Sequence, residues 1–194
     1  MNELKTGDII LFDYEGHSII SSLLKRFTKS NFTHVGMILK DPKFIHPSLK
    51  GLYVWESGKE DNPDPQDNKK KIGVQITPFI EIYDKYKNTG SKIYIRKIKD
   101  NNIFTDENLK KIHDIVYDKP YDIVPLDWIE GYLQKDLNPQ KTNRFWCSAL
   151  IGYIYTQLGI LNPDTDWSIL RPCDFSQDSQ LKFKISLSEN IEIL

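Results

Sequence analysis

The chain has 194 residues, 39% hydrophobic and 27% charged, which excludes a disordered polymer and fits one domain with a substantial core. Its formal net charge of -1 excludes the broad basic surface that nucleic acid or an anionic membrane attracts. Two cysteines, Cys147 and Cys173, are too few for an extracellular disulfide scaffold and point to reduced thiols in a reducing compartment. No apolar stretch approaches the roughly 20 residues needed to cross a bilayer. The first apolar run, Ile9-Ile10-Leu11-Phe12, is too short for a secretory signal, so the expected location is the cytoplasm.

In chain order, Thr6-Gly7 opens a buried strand over 8–13. From Gly16 to Lys29, apolar residues at Ile19, Ile20, Leu23, Leu24 and Phe27 have helical spacing, with Lys25, Arg26 and Lys29 on the wet side. Strands are expected over Thr33–Leu39 and Leu52–Glu56, separated by a turn-rich link containing Pro42, Pro47 and Gly51. Residues 58–71 carry no apolar side chain and read as a solvated, mobile loop insertion at the rim of any site nearby. Gly73–Ile76 resumes a strand, and Thr77-Pro78 reads as the cap and first turn of a helix to about Tyr86. Lys92–Ile98 alternates as a strand. Thr105 caps a helix over 106–117, with Asp106 and Glu107 in its first turn. Helices are expected over Pro125–Leu137 and Arg144–Leu158, the latter ended by Gly159, and a last strand over Phe183–Leu187.

Three residues carry chemistry. Cys147 lies at the start of a helix that is apolar on nearly every face (Ala149, Leu150, Ile151, Tyr153, Ile154, Tyr155, Leu158) and therefore central. At a helix N-terminus, unpaired N–H groups and the partial positive charge favour an anion, so a thiol there ionises more readily than a free one. The same donors suit the oxyanion of an attacked carbonyl. The bland alternative is an inert core cysteine. His34 begins the strand Thr33-His34-Val35-Gly36-Met37-Ile38-Leu39, in which Val35, Met37 and Leu39 face one way and His34, Gly36 and Ile38 the other. A ring with a near-neutral pKa suits proton exchange with a thiol, although a backbone-bonded structural histidine is the alternative. Glu56 closes Tyr53-Val54-Trp55-Glu56; if its strand pairs with that of His34, the carboxylate reaches the imidazole and supplies the third role of a triad. His17, His46 and His113 read as structural or exposed. No ligand spacing suggests zinc, and no phosphate-binding or dinucleotide fingerprint is present, so no metal or cofactor is expected.

Gly7-Asp8-Ile9-Ile10, Ser30-Asn31-Phe32-Thr33-His34-Val35-Gly36-Met37, Trp55-Glu56-Ser57 and Trp146-Cys147-Ser148-Ala149-Leu150, in that order, resemble the circularly permuted branch of the NlpC-type papain-like superfamily. YiiX-like and YebB-like bacterial proteins and poxvirus relatives belong to that branch. The histidine precedes the cysteine helix here, as in permuted members; ordinary members have the reverse order. The resemblance spans roughly 6–60 and 118–176. It implies a permuted papain-like α+β fold, with a mixed or antiparallel sheet packed on helices that include the nucleophile helix. With no internal repeat and no linker, the chain reads as one domain over 1–194, and its charged insertion at about 58–71 matches nothing in the family. The resemblance implies Cys147 as nucleophile, His34 as base and Glu56 as third member. Tyr121, in Lys119-Pro120-Tyr121-Asp122, and Ser148 are supporting candidates. Arg171-Pro172-Cys173-Asp174-Phe175 resembles the segment that follows the family's cysteine helix, with Cys173 a bystander.

The expected activity is a thiol hydrolase (amidase, peptidase or deacylase) acting through a thioacyl-enzyme on a peptide, lipid or acyl conjugate. An acyltransferase, a non-catalytic lipid- or peptide-binding module and a structural virion or scaffold protein are the alternatives. A virion or host-cytoplasm location follows if the source is viral. The sequence leaves oligomeric state open.

Overall fold

The computed structural model describes residues 4–14, 30–122 and 142–194. The expected helices over Gly16–Lys29 and Pro125–Leu137, and His17, lie outside these residues. Among the described residues six strands form one antiparallel sheet: β1 (Ile9–Asp13), β2 (His34–Lys40), β3 (Leu52–Lys59), β4 (Ile72–Pro78), β5 (Lys92–Arg96) and β6 (Ile191–Glu192). Their order across the sheet is β4-β3-β2-β1-β5-β6. With helices α1 (Phe79–Lys87), α2 (Asp106–Val116) and α3 (Cys147–Gln157), the architecture is α+β.

The period of two along each strand divides the core into two layers. Ile9, Leu11, Val35, Met37, Leu39, Trp55, Val74 and Ile76 pack with α2 and α3. Ile10, Phe12, Ile38, Val54, Ile93 and Ile95 pack with Phe79 and Ile82 of α1. Every residue of α3 from Cys147 to Tyr155 is buried, which explains why it is apolar on all faces. Two side-chain hydrogen bonds fix its placement: Tyr155 Oη donates to the Gly7 carbonyl at 2.6 Å, and Ser148 Oγ to the Leu170 carbonyl at 2.6 Å. Gly159, at φ +70°, ends the helix in the left-handed region that glycine tolerates best.

Several elements differ from the sequence reading. β3 runs on to Lys59, because Ser57, Gly58 and Lys59 continue the ladder with Val74, Gly73 and Ile72. Thr77 does not cap α1. Pro78 occupies the cap position without a side-chain hydrogen bond, and the Thr77 hydroxyl is committed to Glu56. α2 matches its expected cap, the Asn108 N–H donating to Thr105 Oγ1 at 3.2 Å. Phe183–Leu187 forms no strand; Phe183 packs against Tyr155 and Phe175, and only Leu187 makes a bridge, to Ile98. The last strand is instead Ile191–Glu192, beside β5.

The charged segment after β3 is pinned, not free. Lys71 Nζ, only 9% exposed, pairs with Asp64 at 2.9 Å and Asp67 at 2.8 Å. Tyr117 Oη donates to Asp67 at 2.8 Å, and His113 Nε2 bonds Gln66 Oε1 at 2.8 Å, which ties the segment to α2. Lys85 and Glu81 of α1 hold Glu60 and Asn62. Ion pairs and hydrogen bonds supply the anchoring that apolar side chains do not.

Lys119–Tyr121 extends the sheet beyond β4: Val74 N–H donates to the Lys119 carbonyl and Tyr121 N–H to the Ile72 carbonyl. The approach is close at Gly73, where a Cβ would lie 2.2 Å from the Lys119 carbonyl oxygen and 2.8 Å from Pro120 Cα. Gly73→Ala therefore forces two backbones apart. It is expected to cost about 2–4 kcal/mol of unfolding free energy in urea denaturation; a change within experimental error contradicts this packing.

Candidate active site

The site begins where β2 and β3 part. Their ladder runs from Lys40↔Leu52 to Met37↔Trp55 and stops. Beyond it, residues 34–36 of β2 pair only with β1, and residues 56–59 of β3 only with β4. The fork is filled from the α3 face. Ser57 Oγ donates to the Phe145 carbonyl at 2.6 Å, both groups buried, and Phe145 also bridges in parallel to Tyr121. Two residues later the chain enters α3 at Cys147.

The parted ladder leaves a donor. The Ile38 N–H points toward β1, where it meets the Asp8 carbonyl, so by alternation the Val35 N–H points into the fork. It turns to the Cys147 sulfur, as does the Ser148 N–H in the first turn of α3. Alternation places His34 on the α1 face with Ile38, whereas Cys147 belongs to the layer on the opposite face. Thiol and imidazole nevertheless interact directly, because no strand-to-strand ladder separates them at this point.

Glu56 shares the α1 face with His34. Glu56 Oε2 lies 2.7 Å from His34 Nε2. Its other oxygen, Oε1, accepts the Thr77 hydroxyl at 2.7 Å. The carboxylate is 1% exposed and the imidazole 19%. Phe12 packs its ring 5.3 Å from that of His34, and Tyr86 stacks on Phe12 at 4.7 Å. Gly58 completes the wall: a Cβ there would stand 3.4 Å from His34 Cε1. Behind Glu56, Gln75 Nε2 donates to the Gly58 carbonyl at 3.0 Å and Lys85 pairs with Glu60 at 2.8 Å.

The electrostatics favour a charge-separated pair. Burial opposes the imidazolium of His34, but the charge and hydrogen bond of Cys147, then those of Glu56, override it and push the ring up to about 10. Burial likewise raises the Cys147 thiol. The charge and hydrogen bond of His34, then the Val35 and Ser148 N–H groups, outweigh it and bring the thiol below its ordinary value of 9.0. Each group is the main charged partner of the other, so thiolate and imidazolium form together.

The structure thus brings Cys147, His34 and Glu56 together: Glu56 is hydrogen-bonded to His34, and the His34 and Cys147 charges act directly on each other. Tyr121 stands close enough that, after burial, the Cys147 charge holds its hydroxyl well above the usual phenol range. Ser148 contributes its backbone N–H only, its hydroxyl being spent on Leu170. Cys173 is partly buried in a short 3-10 turn, where burial raises its thiol. His46 bonds Ser48, and His113 is buried against Gln66. Sequence reasoning missed Thr77, Ser57 and the Val35 N–H. Thr77 was hidden by the Pro that follows it, which made the pair look like a helix start. The other two depend on where a ladder ends, which no local pattern announces.

No known protein-family model matches the sequence. Over 133 positions the chain is 32% identical to uncharacterized protein R372 of Acanthamoeba polyphaga mimivirus, covering 61% of this chain and 50% of that protein. The chain thus spans half the length of this curated relative. It shares its fold with the crystal structure of metalloprotein YiiX from Escherichia coli O157:H7, a DUF1105 protein. The TM-score is 0.52 at 19% identity, over 79% of this chain and 66% of the YiiX chain, just under two thirds. Among the described residues no helix is long and apolar enough to cross a membrane.

The reversed proton order makes a pH test. In the unfolded chain His34 deprotonates first, through its ordinary value of 6.5, and Cys147 later, through 9.0. Folded, the thiol goes first and the imidazole last, near 10. His34 taken alone gives stability that is complete below 6.5 and lost as pH rises through about 10. Cys147 taken alone gives stability that is present above 9.0 and lost as pH falls through its lowered value. Between the lowered folded value of Cys147 and 9.0 both states of the pair carry one proton, so the pair's contribution is flat; above 9.0 only the folded state keeps one, and the contribution falls. Urea denaturation of wild type against Cys147→Ser should show a difference that does not decline just below 9.0 and then declines toward pH 10. A decline beginning at 6.5 would mean that the folded thiol keeps its proton.

Proposed function

We propose that this protein is a thiol hydrolase of the permuted papain-like kind, its 194 residues one domain, with Cys147 as nucleophile, His34 as acid–base and Glu56 as orienting carboxylate. The observation that carries this reading is the buried line from Glu56 through His34 to Cys147 at the uncapped start of a central helix. A sheet-and-helix fold shared with YiiX, and the order of its motifs, support the permuted papain-like assignment.

The residues divide the work as follows. The Cys147 thiolate attacks the carbonyl carbon of an amide, ester or thioester. The carbonyl electron pair moves to oxygen, where first-turn N–H groups of α3 face the charge; Trp146 at the cap position offers no side-chain acceptor to consume them. With Nε2 committed to Glu56, Nδ1 of the imidazolium gives its proton to the leaving amine, alcohol or thiol as the tetrahedral species collapses. A thioester on Cys147 remains. His34 then takes a proton from water, the hydroxide adds to the thioester, and Cys147 leaves as thiolate with His34 again protonated. An acceptor other than water in the second half turns the same steps into acyl transfer. Glu56 holds the ring and compensates the imidazolium throughout.

YiiX, the bacterial protein of shared fold, is a metalloprotein. Among the described residues of this chain no three His, Cys, Asp or Glu side chains converge as metal ligands. Cys147, His34 and Glu56 are engaged in line with one another, and no step here runs through a metal.

Alkylation with iodoacetamide across pH tests the reading. Cys147 is expected to react through a midpoint below 9.0 and Cys173 only above its ordinary value. His34→Ala should move the Cys147 midpoint upward and reduce turnover of any accepted acyl substrate by roughly 100-fold or more. Equal rates at both thiols across the range, unaffected by His34→Ala, would reject an activated nucleophile.

A further inference from the structure

The polar residues around Glu56 divide into those that meet its carboxylate and those that only support its neighbourhood. Gln75 bonds the Gly58 carbonyl, and Glu60 pairs with Lys85. Thr77 differs: its hydroxyl donates directly to Glu56 Oε1 at 2.7 Å, in a position only 4% exposed. The ladder explains the meeting. Glu56 pairs with Gln75, and Thr77 lies two residues beyond it on the same face of β4, one step diagonally across from Glu56.

We infer that Thr77 is a positioning residue: its hydroxyl locks the Glu56 carboxylate in the rotation that presents Oε2 to His34 Nε2. This rests on the thiol-hydrolase reading of Cys147, His34 and Glu56. The terminal torsion of a glutamate is soft and roughly two-fold, so the backbone alone does not decide where its oxygens point. One oxygen bonded at 2.7 Å and the other accepting a hydroxyl at 2.7 Å decide it. A hydroxyl has a single proton, and Thr77 gives it to an acceptor, which suits an ionised carboxylate. Deep burial raises the stakes, since no water replaces the donor when Glu56 is 1% exposed. Without the hydroxyl, the carboxylate is free to turn away from the ring, and the imidazolium loses part of its support.

The test reads the thiolate midpoint by ultraviolet absorbance in wild type, Thr77→Val, Thr77→Ala and Thr77→Ser, with thermal melting alongside. Thr77→Val and Thr77→Ala should raise the Cys147 midpoint by about one pH unit, about tenfold less thiolate at a fixed pH below it. Thr77→Ser keeps the donor and should hold the wild-type midpoint even if it melts earlier. A merely structural role would lower the melting temperature and leave the midpoint in place, which overturns the inference; so does a serine variant that shifts as far as valine. Should neither apolar variant fold, the Thr77 hydroxyl proton of the wild type decides by NMR. Slow exchange supports the bond and exchange at the solvent rate overturns it. The underlying reading fails separately, if the wild-type midpoint sits at the ordinary thiol value and ignores His34→Ala.

Discussion

The separation of β2 from β3 after Met37↔Trp55 is the constraint on which the rest depends. An unbroken antiparallel ladder would seal the sheet and keep the layer around α3 apart from the layer around α1. Where the ladder stops, the start of α3 reaches a histidine that belongs to the other face. The same break frees the Val35 N–H, which in a continued ladder would bond β3 and here faces sulfur. Ser57 and Phe145 close the fork with a buried hydrogen bond, and Tyr121 backs Phe145. Positioning therefore comes from sheet and helix, the most rigid parts of the fold, rather than from a loop.

Burial then sets the chemistry. A carboxylate, an imidazole and a thiol withdrawn from water each resist ionising alone. In line, the His34 and Cys147 charges answer each other, so the imidazole is raised and the thiol lowered in spite of burial. Cys173 shows the contrast within the same chain: partly buried and without a histidine, its thiol is pushed upward. The pair Glu60–Lys85 forms a second ionic layer on the α1 side, in which Glu60 is raised first by burial and then by the nearby Glu56.

Much of this arrangement was legible in the residues. The all-round apolar helix announced a central element, and a cysteine near the start of the expected Arg144–Leu158 helix placed a thiol close to a helix N-terminus; the helix in fact opens at Cys147 itself. Alternation along Thr33–Leu39 assigned His34 and Met37 to different faces, as the two core layers have it. What was not legible depends on pairing. β3 continues through Glu56-Ser57-Gly58-Lys59 because β4 accepts it, although those residue types look like a strand end. Residues 58–71 looked untethered because they lack apolar groups, yet Lys71, Asp64 and Asp67 anchor one another beneath Tyr117. Phe183–Leu187 alternates because Phe183 enters the core, not because a strand partner waits there. Thr77 has two uses open to it in sequence, helix cap and carboxylate donor, and only the register decides between them.

The central claim is that this line of residues performs acyl chemistry. Intact-mass spectrometry after mixing the protein with a panel of activated esters and thioesters of peptide and fatty acyl groups tests it most directly. The account predicts an acyl adduct on Cys147 that forms with at least one probe, decays in water to regenerate free thiol, and is absent from Cys147→Ala and slowed in His34→Ala. No adduct at Cys147 with any probe, or one that forms equally at Cys173 and never turns over, would contradict it.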